Sequence, residues 1–339
     1  MTNKAMNSTT PKVTVIILNW NGKQDTLQCL ESVKQLKYSN FEIILVDNDS
    51  TDDSVDAISE QYSDIIILNT GKNLGYAGGN NAGIRYALKR GTDFIFLLNN
   101  DAFVSEDLLH ALTTGAEKLP PKSILGAKIY FYDKPNTLWF NGGRWKKETN
   151  SFEHIGYNLL DSTEFNHQIE VDYISGCALF ARAESFNDIG LLDENFFLYY
   201  EETDWCYRAR ARGYKCVLIP EAKVWHKASS SLGADSPQVK YFLTRNKLLW
   251  AKKHLTFSAR IDLHKESIKT LVNILLPPFV WINKDLPIAK RALWCFSSWV
   301  KTVKRNIQSP LNKATLRGLL DFYLGRLGEC PEYIRLLRA

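Results

Sequence analysis

The chain has 339 residues, 45% of them apolar. That is enough for one large domain or two modest ones with a sizeable core, and it excludes wholesale disorder. The net charge of +5 conceals opposite halves: residues 1–239 hold 23 Lys/Arg against 31 Asp/Glu, and residues 240–339 hold 19 against 6. The basic part therefore faces an anionic partner.

Strand and helix signals alternate through the first hundred residues. "VTVIILNW" (13–20) is an apolar, β-branched run, and 23–37 has helical spacing at Leu27, Leu30, Val33 and Leu36. "FEIILVD" (41–47) is a second buried-type strand, followed by an acidic helix start that Ser50 or Thr51 can cap. "DIIILNT" (64–70), a helix near 77–90 and "DFIFLLN" (93–99) continue the series. This alternation predicts an α/β fold with a mainly parallel sheet flanked by helices.

Ligands of such sheets bind beyond the carboxyl ends of the strands. Those ends read Asn19-Trp20-Asn21-Gly22, Asp47-Asn48-Asp49, Asn69-Thr70-Gly71 and Asn99-Asn100-Asp101. Asn, Asp and Gly also form ordinary turns, but four such tips at one rim point to a polar-ligand site. "NTGKNLGYAGGNNAGI" (69–84) leads into a helix and reads either as a flexible loop or as a backbone cradle for phosphate. Asp101 suits a divalent cation that takes its remaining oxygens from a nucleotide. The alternative there is a helix start at Ser105-Glu106-Asp107 without metal.

From 123 to 182 the pattern shifts to short strands rich in aromatics and glycine, and Asn141-Gly142-Gly143 reads as a hairpin turn. Residues 201–213 read as a helix and "KCVLIP" (215–220) as a returning strand. The helix places Glu201, Asp204, Arg208 and Arg212 along one side, with Asp204 and Arg208 as an i,i+4 pair. Glu202 lies roughly 100° around from Glu201, so the two carboxylates are not expected to share one job. The acidic start either supplies a general base or is a surface salt-bridge helix. His226, after an aromatic near a strand end, is either structural or a ligand.

After about 235 the chain is helical, basic and aromatic, with four of the nine tryptophans (Trp250, Trp281, Trp294, Trp299). That mixture fits an anionic membrane surface, or a helical appendage whose Trp side chains pack inward. No recognition motif for nucleic acid accompanies the charge. The longest apolar window, residues 270–282, is too short to span a bilayer and holds two prolines. The N-terminus has no apolar signal core, and six cysteines without C-x-x-C or zinc spacing read as free thiols. The expected location is cytoplasmic.

In their order, "VTVIILNWNG", "ILVDNDSTDDS", "NLGYAGGNNAGI", "FLLNNDAFV", "ISGCALFAR", "LLDENFFLYYEETDWCYRARARGY", "VWHKASSS" and "YFLTRNKLLW" form a specific set over about 13–250. The set resembles the family 2 inverting glycosyltransferases with a GT-A fold, most closely their rhamnosyltransferase-like branch. The resemblance implies a nucleotide-sugar donor, Mg²⁺ or Mn²⁺, and a glycan or lipid-linked saccharide acceptor in cell-surface polysaccharide synthesis. The implied donor is dTDP-rhamnose; another hexose or N-acetylhexosamine donor, or a silent sugar-nucleotide-binding protein, is the alternative. Donor contacts are implied at Asn19, Trp20, Asp47, Asn48, Gly75, Asn81, Asn99 and Asn100. Metal ligation falls to Asp101 and His226, and the acceptor side to Gly176, Cys177 and Asp204. The family's Glu-Asp-x-Asp element reads Glu201-Glu202-Thr203-Asp204 here, which makes Glu202 the implied base, with Glu201 second. The organisation expected is a flexible segment over 1–12, a GT-A domain over 13–235 and a basic helical extension over 236–339. On the membrane reading of its tail, the extension brings the enzyme to the inner face of the membrane as a peripheral protein; on the other, it is a packed helical appendage.

Overall fold

In the seven-residue strand β1 (Val13–Asn19) every side chain except Leu18 is buried. A strand covered on both faces belongs in the middle of a parallel sheet, and β1 lies between β2 (Phe41–Asp47) and β4 (Phe94–Asn99), parallel to both. The computed structural model describes residues 10–227, 236–280 and 287–337. Most of the N-terminal segment 1–12, the residues after Lys227 in the "VWHKASSS" segment, and Trp281 lie outside them. Two compact units divide between Ser231 and Leu232.

The first unit is an α/β sandwich. Chain order is β1, α1 (Lys23–Lys34), β2, α2 (Ser54–Gln61), β3 (Ile66–Asn69), α3 (Gly75–Arg90), β4, β5 (Ala102–Val104) and α4 (Leu108–Lys118). Next come β6 (Ser123–Phe131), β7 (Leu138–Phe140), β8 (Gly143–Lys146), β9 (Ser151–His154), β10 (Ile169–Val171), β11 (Ala178–Arg182), α5 (Ala183–Ile189), α6 (Glu201–Arg210) and β12 (Lys215–His226). The main sheet runs β10-β12-β6-β11-β4-β1-β2-β3, with β5 added to β12 and β7 to β6. Strands β3, β2, β1 and β4 are parallel, as are β6 and β12, while β11 enters antiparallel between β4 and β6. The sheet flanked by helices that the sequence predicts is therefore present.

Two local readings change. Asn141-Gly142-Gly143 does not turn a hairpin, because β7 pairs with β6 and β8 with β9. Gly143 instead lies against Tyr173, whose ring a Cβ there would overlap at 1.9 Å. The strand expected over 215–220 continues to His226. Pro220 cannot donate a ladder hydrogen bond, and the register shifts between Ile219 and Lys223 rather than ending the strand. That extension carries His226 towards the carboxyl rim.

The glycines of α3 serve packing. A Cβ at Gly79 would come within 2.4 Å of Leu18, and one at Gly83 within 2.6 Å of Ile16, so the helix sits tightly on the parallel sheet. None of the six cysteines forms a disulfide, and all are buried.

The second unit consists of α7 (Pro237–His254), α8 (Phe257–Leu275), α9 (Ile288–Gln308), α10 (Pro310–Tyr323) and α11 (Glu332–Leu336). The Tyr241, Arg245 and Asn246 element is buried at its heart. The Tyr241 hydroxyl donates to Asp321 Oδ2 at 2.8 Å, and Arg245 Nη1 donates to the Gly328 carbonyl at 2.6 Å, which ties α7 to α10 and the following loop. Trp250 is packed in the interior, Trp294 is exposed, and Trp299 donates from Nε1 to the Pro277 carbonyl. Among the described residues no helix is long and apolar enough to cross a membrane.

Candidate active site

The parallel register lines up the strand ends: Asn19 sits beside Asp47, Asp47 beside Asn69, and Leu18 beside Asn99. Much of this polarity holds the loops together. Asn19 donates to Asp47 Oδ1 (2.9 Å) and Ser50 Oγ (3.0 Å), and accepts from Thr26 Oγ1 (2.8 Å). Ser50 does not cap α2, whose N-cap is Asp53; its hydroxyl donates to Asp47 Oδ1 at 2.6 Å. Asn48 donates to Asn73 Oδ1 and the Gly75 carbonyl, and accepts from the Leu74 N–H. Asn100 donates to Thr26 Oγ1 at 2.9 Å. Trp20, next to this network, is half-buried.

The start of α3 is braced against the segment before α6. Gly75 has φ +69°, and a Cβ on it would meet the Phe197 carbonyl oxygen at 2.4 Å. The Gly75 and Ala77 N–H groups donate to Asn73 Oδ1 and the Phe197 carbonyl. These amides are consequently not the open phosphate cradle that the glycine-rich sequence suggested. Asn81 donates to the Leu192 carbonyl and Glu194 Oε1, and accepts from the Leu192 N–H. Its amide thus clamps the 192–194 loop and has little capacity left for a ribose.

Three non-glycine residues in that segment have left-handed backbones: Phe197 (φ 66°), Tyr199 (φ 67°) and Tyr200 (φ 78°). Each such residue costs on the order of 1–3 kcal/mol and persists only where surroundings enforce it. Enforcement comes from both sides: the Ala77 N–H donates to the Phe197 carbonyl, and the Thr203 hydroxyl and Asp204 N–H donate to the Tyr200 carbonyl, while α6 is itself pinned to the chain before it. Trp205 Nε1 donates to the Gly190 carbonyl, while Arg208 donates to the Ile189 and Leu191 carbonyls and to Asp204 Oδ2. Asp204 is fully buried and orients this arginine, a bracing role rather than a position open to an acceptor.

The strained segment delivers Glu201 and Glu202. Glu201 is buried and Glu202 half-buried, and Oε2 of each has no hydrogen-bond partner among the described residues. Burial pushes both carboxyl groups above their usual range, and the neighbouring Glu202 charge pushes Glu201 further. Despite their angular separation on the helix, both act on the same rings. Burial and then the charges of Glu201 and Glu202 raise the Tyr76 phenol. Tyr199 is pushed up to about 12 by burial, Glu201, Glu202 and Asp101.

The opposite wall is the Asp101–His226 pair. β5 pairs antiparallel with the end of β12, setting His226 opposite Ala102, and the Lys227 N–H donates to the Asp101 carbonyl. His226 Nε2 thereby comes 3.0 Å from Asp101 Oδ1, both side chains being buried. The Trp139 and His226 rings pack edge to face with centroids 4.7 Å apart, and Asn99 Nδ2 lies 3.4 Å from Nε2. Burial lowers the His226 pKa, but Cys177 and Asp101 raise it by more, so the net shift is upward. Among the described residues no group of three His, Cys, Asp or Glu side chains gathers to hold a metal. Two donors suffice for Mg²⁺ or Mn²⁺ when a diphosphate and water complete the shell. At 3.0 Å the two side chains form an ion pair; the same separation equals an octahedral edge with bonds of about 2.1 Å, so the pair would fit such an ion with the imidazole neutral.

The Ser175-Gly176-Cys177 turn joins the two walls. The Gly176 carbonyl accepts from the Tyr76 hydroxyl at 2.6 Å, and the Cys177 carbonyl accepts from the Asn99 N–H at 3.0 Å. Sequence reasoning missed Tyr76, Tyr199 and Thr26, and gave Ser50 a capping role in place of its bond to Asp47. Tyr76 directly follows Gly75, and Tyr199 sits in "FFLYYEE", a run that reads as core without knowledge of its backbone.

A family model described as glycosyl transferase family 2 matches residues 14–189. The low-salt glycan biosynthesis hexosyltransferase Agl10 of Haloferax volcanii is 29% identical over 205 residues, 58% of this chain but only 61% of that protein. The dTDP-rhamnosyl transferase RfbF of Shigella flexneri is 24% identical over 247 residues, 70% of this chain and 79% of the relative. An N-acetylglucosaminyl-diphospho-decaprenol L-rhamnosyltransferase of Mycobacterium tuberculosis is 26% identical over 215 residues, covering 57% and 68%. Among solved structures, the mannosyltransferase PcManGT from Pyrobaculum calidifontis, in complex with GDP-Man and Mn²⁺, superposes with a TM-score of 0.55. The match covers 94% of this chain and 89% of that one at 14% identity, which shows a common GT-A-like fold.

Proposed function

We propose, from the premise that this chain belongs to glycosyl transferase family 2, that it moves a sugar with inversion from a nucleotide donor onto a glycan or lipid-linked acceptor. The observation that carries this reading is the Ser175-Gly176-Cys177 turn, which bonds Tyr76 on the glutamate side and Asn99, next to the Asp101–His226 pair, on the other. A base and an anion-handling pair thus border one space. L-Rhamnose from a dTDP donor is the substrate we favour, supported by two relatives named for rhamnosyl transfer. The acceptor class is likewise supported by the name of the mycobacterial relative. The place of work is the inner face of the membrane.

Glu202, the more open of the two carboxylates, removes the proton from the acceptor hydroxyl. The hydroxyl oxygen forms the new bond at the anomeric carbon as the bond to the diphosphate breaks and its electron pair leaves with the phosphate. Asp101 and His226 would hold Mg²⁺ or Mn²⁺, which supplies positive charge for the departing diphosphate. Glu201, buried beside Glu202, raises the affinity of the pair for one proton. Asn19, Asp47, Asn48 and Asn100 shape the donor loops through the hydrogen bonds described above, with Trp20 and Asn99 beside them.

The test is a thermal-shift and donor-hydrolysis screen of nucleotide sugars with Mn²⁺ or Mg²⁺, since a bound donor raises apparent stability. dTDP-rhamnose should raise the melting temperature and be consumed. Preference for a UDP- or GDP-sugar would remove rhamnose from the reading. No response to any nucleotide sugar would remove the enzyme.

A further inference from the structure

The structure assigns an anionic phospholipid bilayer as the partner of α9 and the exposed stripe of α8, lying flat in the interface. This deepens the transfer reading by naming the surface that meets a lipid-linked acceptor, and it rests on that reading only for its purpose.

Helix α9, "IAKRALWCFSSWVKTVKRNIQ", contains five Lys/Arg and no Asp or Glu. Leu293, Phe296, Val300 and Ile307 follow one another at helical spacing on a single flank. Among the described residues, Leu293 is 71% and Phe296 57% exposed. Lys290, Lys301 and Lys304 border that flank at the next angular positions, with exposed Trp294 among the cations. The inward face is different: Cys295 is buried, Trp299 bonds to the Pro277 carbonyl just past α8, and Asn306 bonds to the Asn273 and Ile274 carbonyls at its end. On α8, Phe257, Ile261, Ile268, Val272 and Leu275 repeat at helical spacing within a narrow arc, and all are exposed. Lys265, paired with Asp262 at 3.1 Å, and Lys269 stand beside them, so the larger share of the positive charge is that of α9.

An exposed apolar stripe of this extent marks an interaction surface. A second copy would bring two acid-free basic helices together, a like-charge arrangement that opposes association. A nucleic acid would engage the lysines and leave the leucine and phenylalanine side chains in water. A bilayer with anionic lipid satisfies both features, because the apolar flank enters the acyl boundary while the cations meet headgroups.

The experiment is cosedimentation of the full chain with phosphatidylcholine vesicles, with and without phosphatidylglycerol, at low and high salt. Binding should require phosphatidylglycerol and weaken with salt. The double variant Leu293→Asp/Phe296→Asp should lose at least about tenfold in vesicle affinity. Neutralising Lys301 or Lys304 to Gln should cost on the order of fivefold each. Circular dichroism and donor hydrolysis in vesicle-free solution should stay as in the parent chain. Three results overturn the assignment: no binding to anionic vesicles at low salt, binding that the double variant leaves unchanged, or a vesicle-free dimer that the double variant dissolves. Vesicle binding by a chain that hydrolyses no donor would leave this surface standing and sink the transfer reading instead.

Discussion

His226 Nε2 lies 3.0 Å from Asp101 Oδ1 because the last residues of β12 pair with β5 directly after Asp101. Separation by a long stretch of chain is cancelled by one strand pairing. Asp101→Asn keeps a polar group beside the imidazole while removing the charge a cation needs. Transfer should fall by on the order of a hundredfold or more, with the melting temperature nearly unchanged. Calorimetric titration with Mn²⁺ in the presence of a nucleoside diphosphate should show weakened metal binding. Parent-like turnover in this variant would remove Asp101 from the metal site.

Glu202 and Glu201 should separate by function. Glu202→Gln keeps shape and removes the base, so kcat should drop about 10²–10⁴-fold while the donor KM stays close to the parent value. Glu201→Gln removes a buried carboxyl whose Oε2 has no partner among the described residues. It should therefore raise the melting temperature by a few degrees, the familiar trade between stability and activity at a site. If Glu201→Gln is instead the more damaging change to kcat, the base is one residue earlier.

The pH dependence follows with a definite sign. Both carboxyl groups bind their protons more tightly in the folded chain than the ordinary value of 4.5 allows. The acid limb of kcat/KM should accordingly lie above 4.5, since the base must be unprotonated to act. For stability, a raised carboxyl pKa favours the folded state most below 4.5, and that advantage disappears as pH rises through the folded value. Glu42, Asp161 and Glu194 are shifted downward and act oppositely, losing their contribution as the medium becomes acidic. The difference between the Glu201→Gln variant and the parent chain isolates one term: it should favour the variant increasingly as pH rises above 4.5. Denaturant titrations across pH would show a flat or inverted difference if Glu201 ionises freely.

Much of the parallel sheet was legible because strands covered on both faces are continuous apolar runs, as Phe41–Asp47 shows. The rim was legible too, since strand ends in one register bring Asn19, Asp47 and Asn69 into a row. What the residues there do was not. Asn48 and Asn81 look like ligand groups in a sequence, yet their amides close loops through partners that only the fold brings near. The glycines of α3 suggested a phosphate loop, whereas Gly79 and Gly83 permit close helix–sheet packing. Tyr199 could not be singled out because a left-handed backbone on a tyrosine has no local signature. His226 was placed by the passage of β12 beyond Pro220, which local propensity argues against.

Gly75 links the start of α3 to the strained segment before α6, and a matched glycine measures that link. Gly71 (φ +70°) and Gly75 (φ +69°) share a left-handed backbone, but a Cβ at Gly71 meets nothing within 4 Å. At Gly75 it would meet the Phe197 carbonyl oxygen at 2.4 Å and the Phe197 ring at 2.6 Å. Gly71→Ala should cost only the backbone strain, about 1–2 kcal/mol. Gly75→Ala adds a clash with a main-chain atom that cannot rotate away, and should cost about 2–4 kcal/mol. Because Phe197 must move to admit the methyl group, Tyr199 and Glu201 move with it, and kcat should fall in Gly75→Ala but not in Gly71→Ala. Denaturant midpoints and donor turnover for the two variants, measured side by side, check both parts. Equal losses of stability and turnover in the two would show that Phe197 yields freely and that the segment before Glu201 is not braced by α3.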